Sequence, residues 1–169
     1  NNWGTLYGEM ATSTASNSGW VTGKFGNALS FDGVNDYVRA GSGASLQVST
    51  IISVFAWVNP RAFHDVNNHI FGRRDSVDDS GYSLYIRANL GNRLDVVIIQ
   101  NDGTYVGNSS NGPIITVNMW QYVGFTYDGQ NIKVYLNGVL SNTISGVKTV
   151  PTESNNAIIG TYATLAAQY

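Results

Sequence analysis

What most limits the fold of this chain is a rhythm of two. Apolar and polar residues alternate in short runs, and no long window carries the helical repeat of about 3.6 residues. In GYSLYIRA, Tyr82, Leu84 and Ile86 fall on one face and Ser83, Tyr85 and Arg87 on the other. In RLDVVII, Leu94, Val96 and Ile98 oppose Asp95, Val97 and Ile99. NIKVYL places Ile132, Val134 and Leu136 inward, and Asn137-Gly138 then turns the chain back into Val139 and Leu140. Asn-Gly between two such runs is the strongest local signal for a hairpin, because both residues tolerate positive φ. Further strands are expected over Ala28 to Phe31, Tyr37 to Arg39, Ile52 to Val58, Trp120 to Tyr127, and around Ile158. Many short strands with tight turns call for an all-β, two-sheet antiparallel sandwich or jelly roll. Val54 to Val58 is apolar on both faces. Burial as a central strand is the expected reading, and an exposed aromatic platform for a ligand is the alternative.

Composition narrows the partners. Charged residues make up 12 %, with nine Lys plus Arg against eleven Asp plus Glu and a net charge of -2. A basic footprint for nucleic acid is missing. The polar surface is instead built from Asn, Ser, Thr and Gly, which supply neutral hydrogen-bonding groups. There is no cysteine, so disulfides and thiolate chemistry are excluded. No apolar run approaches the roughly 18 residues a membrane span needs, so no membrane insertion is expected.

Several blocks have a wider resemblance. They are GNALSFDGVNDYV, ISVFAWVNP and MWQYVGFTYDGQNIKVYLNGVLSNTISG, followed by NNAIIGTY. Together they resemble the laminin-G-like jelly rolls of the concanavalin A-like lectin and glucanase superfamily, over nearly all of 1–169. The residues make physical sense by themselves. Gly33 and Gly129 suit turns of positive φ, Asp32 and Asp128 can accept hydrogen bonds from those turns, and Trp120 reads as a buried anchor at a strand start.

The resemblance also implies that the chain lacks the family's first and last strands, which lie side by side in the sandwich. Three accounts stay open. The chain is a fragment of a larger protein, a neighbouring chain supplies the strands, or Trp3 to Tyr7 and Leu165 to Tyr169 close the edges themselves.

The chemistry-bearing residues point away from catalysis. Glycoside hydrolysis needs two carboxylates across the bond, yet the only glutamates, Glu9 and Glu153, have no acidic neighbour at strand spacing. No Gly-x-Ser-x-Gly elbow is present. Calcium is a candidate cofactor. Asp75, Asp78 and Asp79 lie within one short loop, and Asp65 stands in a second, between His64 and Asn67. Asp32, Asn35 and Asp36 form a weaker set that an Asx-type turn explains. Carbohydrate binding fits best, since sugars need neutral polar groups and an aromatic ring. Tyr82 and Tyr105 are the candidate rings, and Asn67, Asn101 and Asn108 the candidate polar partners. Asn108-Ser109-Ser110 also matches an N-glycosylation acceptor.

The expected function is a non-catalytic module of the cell surface or extracellular space. It would bind a glycan or a surface protein, with calcium assisting. The alternative is a structural or assembly module completed by strands from a partner chain. A glycoside hydrolase is the least favoured reading.

Overall fold

The alternation over residues 82 to 98 becomes the middle of a sheet. The structure, a computed structural model, describes residues 4–8, 19–48, 50–63, 66–74, 80–100, 102–108, 110–146, 150 and 155–161. β7 (Gly81–Arg87) and β8 (Arg93–Ile99) form an antiparallel hairpin in which Leu84 faces Val96 and Tyr85 faces Asp95. They lie in a seven-stranded sheet ordered β1-β4-β13-β6-β7-β8-β9. Its other members are β1 (Thr5–Tyr7), β4 (Tyr37–Gly41), β6 (Asn67–Arg74), β9 (Tyr105–Gly107) and β13 (Ala157–Ile159).

A four-stranded sheet ordered β12-β11-β10-β5 packs against it. Its strands are β5 (Ile52–Val58), β10 (Gln121–Tyr127), β11 (Asn131–Leu136) and β12 (Val139–Ser145). The turn between β11 and β12 is Asn137-Gly138, with φ of 52° and 81°. The Asn137 side chain accepts the Tyr122 amide at 2.9 Å, which ties the turn to β10. A third sheet is the hairpin of β2 (Gly19–Thr22) and β3 (Asn27–Ser30). The fold is thus an antiparallel β-sandwich with a small hairpin added to the expected two sheets.

The core lies between the two large sheets. Tyr82, Leu84, Ile86, Leu94, Val96 and Ile98 meet Val123, Phe125, Tyr127, Ile132 and Val134 there. Each large apolar side chain so buried contributes about 1.5–3 kcal/mol. Both aspartate turns form as expected: Asp32 Oδ1 accepts the amides of Val34 and Asn35, and Asp128 Oδ1 those of Gln130 and Asn131. That satisfies the turn chemistry of FDGVND without a metal. Among the described residues no helix is long and apolar enough to cross a membrane.

Three expectations change. Among the described residues β5 is an edge strand of the four-stranded sheet, and Phe55 and Trp57 on its outward face are exposed. Its inward residues fill the core, but apolarity on both faces here reflects an uncovered aromatic surface. Trp120 precedes β10 and is only partly buried, because Gln121 takes the first paired position. At the amino-terminal side, Thr5–Tyr7 pairs with β4 from Thr5↔Arg39 to Tyr7↔Tyr37 and edges the seven-stranded sheet. Leu165 to Tyr169 lies outside the described residues.

Candidate ligand-binding site

The face of the seven-stranded sheet turned away from the core carries the alternate residues of β6 to β9. Strand register sets them in rows. Asn67, Arg87 and Arg93 form one row, and His69, Tyr85 and Asp95 the next. Gly72, Ser83, Val97 and Gly107 form a third, made of small side chains. A bulge between His69 and Phe71 keeps this pattern in β6: Ile70 and Phe71 both pack on the core, while His69 and Gly72 face outward.

The second row is the chemical centre. The Asp95 side chain is 0 % exposed. Its Oδ2 accepts the Tyr85 hydroxyl at 3.1 Å and lies 3.1 Å from Arg87 Nη2. Its Oδ1 accepts no hydrogen bond among the described residues. Burial pushes the Asp95 carboxyl above its ordinary value, and the Arg87 guanidinium and the Tyr85 hydroxyl partly offset this. Burial, followed by the nearby Asp95 charge, pushes the Tyr85 hydroxyl well up, so it keeps its proton and acts as a donor.

Arg87 Nη2 also donates to Tyr85 Oη at 2.6 Å and reaches Tyr105 Oη at 3.4 Å, and the two tyrosine hydroxyls are 3.3 Å apart. The His69 ring stacks on Tyr85 with centroids 5.2 Å apart, and its Nδ1 is 3.0 Å from Ser83 Oγ.

Tyr105 is the exposed member, at 46 %. It starts on β9 opposite Ile99, but its ring leans back along the sheet towards Tyr85. Gly107 makes room for it: a Cβ there would lie 3.0 Å from Tyr105 Cε1 and 3.1 Å from its hydroxyl. The result is an aromatic ring held at its hydroxyl end by two fixed groups.

The other sequence candidates fall elsewhere. Tyr82, at 3 % exposure, packs in the core and offers no ring face to a ligand. Its position in the inward alternation of β7 is the cause. Asn108 is buried and joins β8 to the chain after β9: its Oδ1 accepts the Val96 amide at 2.8 Å and its Nδ2 donates to the Leu94 carbonyl at 3.2 Å. Its amide is therefore neither a sugar contact nor an accessible acceptor for glycosylation. Asn67 is exposed and lies in register with Arg87. Asn101, His64, Asp65, Asp75, Asp78, Asp79, Glu9 and Glu153 lie outside the described residues. Among the described residues no group of three His, Cys, Asp or Glu could hold a metal ion. There, too, Asp95 is the one carboxylate borne by the strands on this face.

Sequence reasoning missed Tyr85, Arg87 and Asp95 as a unit. The signal was the hairpin itself: pairing GYSLYIR with RLDVVII across the turn at 88–92 brings Tyr85 opposite Asp95.

A second surface lies on the outward face of the four-stranded sheet. Phe55 and Trp57 of β5 are exposed beside Tyr122 of β10 and Tyr135 of β11. Phe55 stacks on Tyr122 at 5.3 Å, and Trp57 meets Tyr122 at 5.3 Å. Phe25, from the β2–β3 turn and 74 % exposed, meets Trp57 edge-on at 5.6 Å, and Lys24 Nζ is 5.6 Å from the Trp57 ring. Gly124, between Phe55 and Tyr135 in register, lets the Phe55 ring lie flat on the sheet, since a methyl there would strike it.

Comparison with known proteins places the fold. Domain 4 of AbnA, an extracellular GH43 arabinanase from Geobacillus stearothermophilus solved in complex with arabinotriose, is similar over 93 % of this chain and 72 % of its own, with TM-score 0.66 and 21 % identity. The carbohydrate-binding module CBM66 from Bacillus subtilis is similar over 87 % of this chain and 85 % of its own, with TM-score 0.47 and 15 % identity. A SAP-like pentraxin from Limulus polyphemus, a native heptamer, is similar over 75 % of this chain and 64 % of its own, with TM-score 0.44 and 15 % identity. Among curated proteins none matches this sequence. The family model described as the concanavalin A-like lectin/glucanases superfamily matches residues 32–168, and the chain is a laminin-G-like domain of that family.

Proposed function

We propose that this chain is a non-catalytic, extracellular carbohydrate-binding module. The observation that carries the reading is the exposed Tyr105 ring, held by Tyr85 and Arg87, which are in turn anchored on buried Asp95. Sugar recognition needs an aromatic plane against the apolar face of the ring and hydrogen-bonding groups at its rim. Both are here, and the ring is fixed before any ligand arrives, which lowers the ordering cost of binding. Among the described residues Asp95 is the one carboxylate on this face, and its 0 % exposure suits anchoring rather than acid–base hydrolysis, which needs two. The arabinanase domain of the same fold was solved with an oligosaccharide, which lends support by fold analogy alone.

A glycan array followed by calorimetry tests the reading. Wild type binds at least one oligosaccharide, and Tyr105→Ala lowers that affinity by about tenfold or more, equivalent to about 1.4 kcal/mol. Absence of binding to every glycan would overturn it. Calcium assistance, proposed from Asp75, Asp78, Asp79 and Asp65 alone, is read in the same titration with and without EDTA. Unchanged affinity would remove calcium from the proposal.

The aromatic strip of Phe25, Phe55, Trp57, Tyr122 and Tyr135 favours a second reading, an assembly module that docks on a surface protein or neighbouring chain. Under it, β5 would be the strand edge that a partner extends.

A further inference from the structure

Arg87 and Arg93 are directly opposed across β7 and β8, as the last pair before the turn. Cross-strand partners on one face have their Cβ atoms about 4.5–5.5 Å apart, and like charges so placed repel. One charge is offset: Asp95 lies 3.1 Å from Arg87. The Arg93 guanidinium has a neutral partner, donating through Nη1 to the Gly112 carbonyl at 2.8 Å. Among the described residues it makes no ion pair. Among the described residues the row therefore carries two guanidinium charges and the adjoining row one buried countercharge, in a chain whose net charge is -2. The surplus is local and does not reflect a basic protein.

The surplus also sits at the ligand-facing edge of the site. Arg87 reaches the Tyr105 hydroxyl, and Asn67 continues the same row on β6. A neutral sugar needs one donor here, and Arg87 supplies it. Among the described residues the second guanidinium has no countercharge, and an anionic ligand would bring one. Guanidinium and carboxylate are both planar and pair through two parallel hydrogen bonds.

We infer that this face selects an anionic sugar, a uronic acid whose ring stacks on Tyr105 while its carboxylate meets Arg93 and Arg87. The inference rests on the reading that this face binds glycan, and it names the class. A sulfated sugar offers the same charge, and the test separates the two.

The experiment titrates the intact chain with oligouronates, with the same oligosaccharides after reduction of their carboxyl groups, and with sulfated oligosaccharides of similar length. Expected is an affinity for at least one oligouronate that falls about tenfold or more on carboxyl reduction and weakens as salt rises. Arg93→Gln should remove that preference, so that acidic and reduced sugars bind with equal affinity, with thermal melting confirming the fold. Arg93→Lys should keep the charge but only part of the affinity, because an ammonium lacks the planar fork. Binding of reduced and acidic sugars with equal affinity, or preference for sulfate over carboxylate, would overturn the inference and leave glycan binding standing. Failure of every sugar to bind would overturn both.

Discussion

Asp95 lies 3.1 Å from Arg87 and is closed to solvent, while Arg87 is partly open. The pair is thus asymmetric: one partner is set in the sheet, and the other is partly open to solvent. An exposed ion pair contributes little, because both ends move and salt screens them. Here the fixed end restricts the rotamers of the mobile one, and the gain is position more than stability.

Asp95 and Asp32 should give stability opposite dependences on pH. Burial raises the Asp95 carboxyl above its ordinary 3.8, so the folded state holds that proton more tightly than the unfolded chain. Its contribution is complete below about pH 4 and is lost as pH rises through the raised value. At Asp32, burial also works upward, but the amides of Val34 and Asn35 outweigh it and the value is lowered. Its contribution is complete above about pH 4 and is lost as pH falls through the lowered value. Urea denaturation across acidic pH should show Asp32→Asn flattening the loss at the acid end and Asp95→Asn flattening the decline on the other side. Parallel shifts for the two variants would refute this.

Gly107→Ala should weaken ligand binding while every side chain that contacts the ligand keeps its identity. The added methyl would press on Tyr105 Cε1 and Oη, and would lie 2.8 Å from the Val96 carbonyl. Overpacking of this kind costs about 1–3 kcal/mol. The expected result is a loss of affinity in calorimetry together with a lowered melting temperature. Unchanged affinity would mean that the placement of Tyr105 does not matter.

The aromatic strip predicts a different separation. The double change Phe55→Thr and Trp57→Thr retains β-forming residues on β5 and removes two exposed rings. The protein should stay folded and lose about 1–3 kcal/mol with the ring pairs to Tyr122, Tyr135 and Phe25, while capture of a docking partner or self-association by light scattering should fall. Loss of glycan affinity with Tyr105 intact would move the sugar site to this sheet.

Much of the sandwich was legible because each alternate residue in β7 and β8 is committed to one face. Tyr82, Leu84, Ile86, Leu94, Val96 and Ile98 went inward as the pattern requires. β5 was ambiguous for the same reason. A strand apolar on both faces is either central or exposed on one side, and only the sheet order tells which. The site was harder. Tyr82 and Asn108 have the chemistry of ligand contacts, yet one fills the core and the other bonds strand backbones. Residue type alone does not separate a polar group that meets a ligand from one that satisfies the backbone. Tyr85, Arg87 and Asp95 became a unit only through strand register, a relation between positions distant in the chain.

The β7–β8 hairpin writes two texts on one ribbon. Its even-numbered positions from Tyr82 to Ile98 spell the interior, and its odd-numbered ones from Ser83 to Ile99 spell the opposite face. Random change along the hairpin therefore falls into two separate inheritances. A library confined to residues 87 and 93, the half-buried odd positions beside the turn, would explore new ligands while Ser83, Tyr85 and Asp95 stay packed.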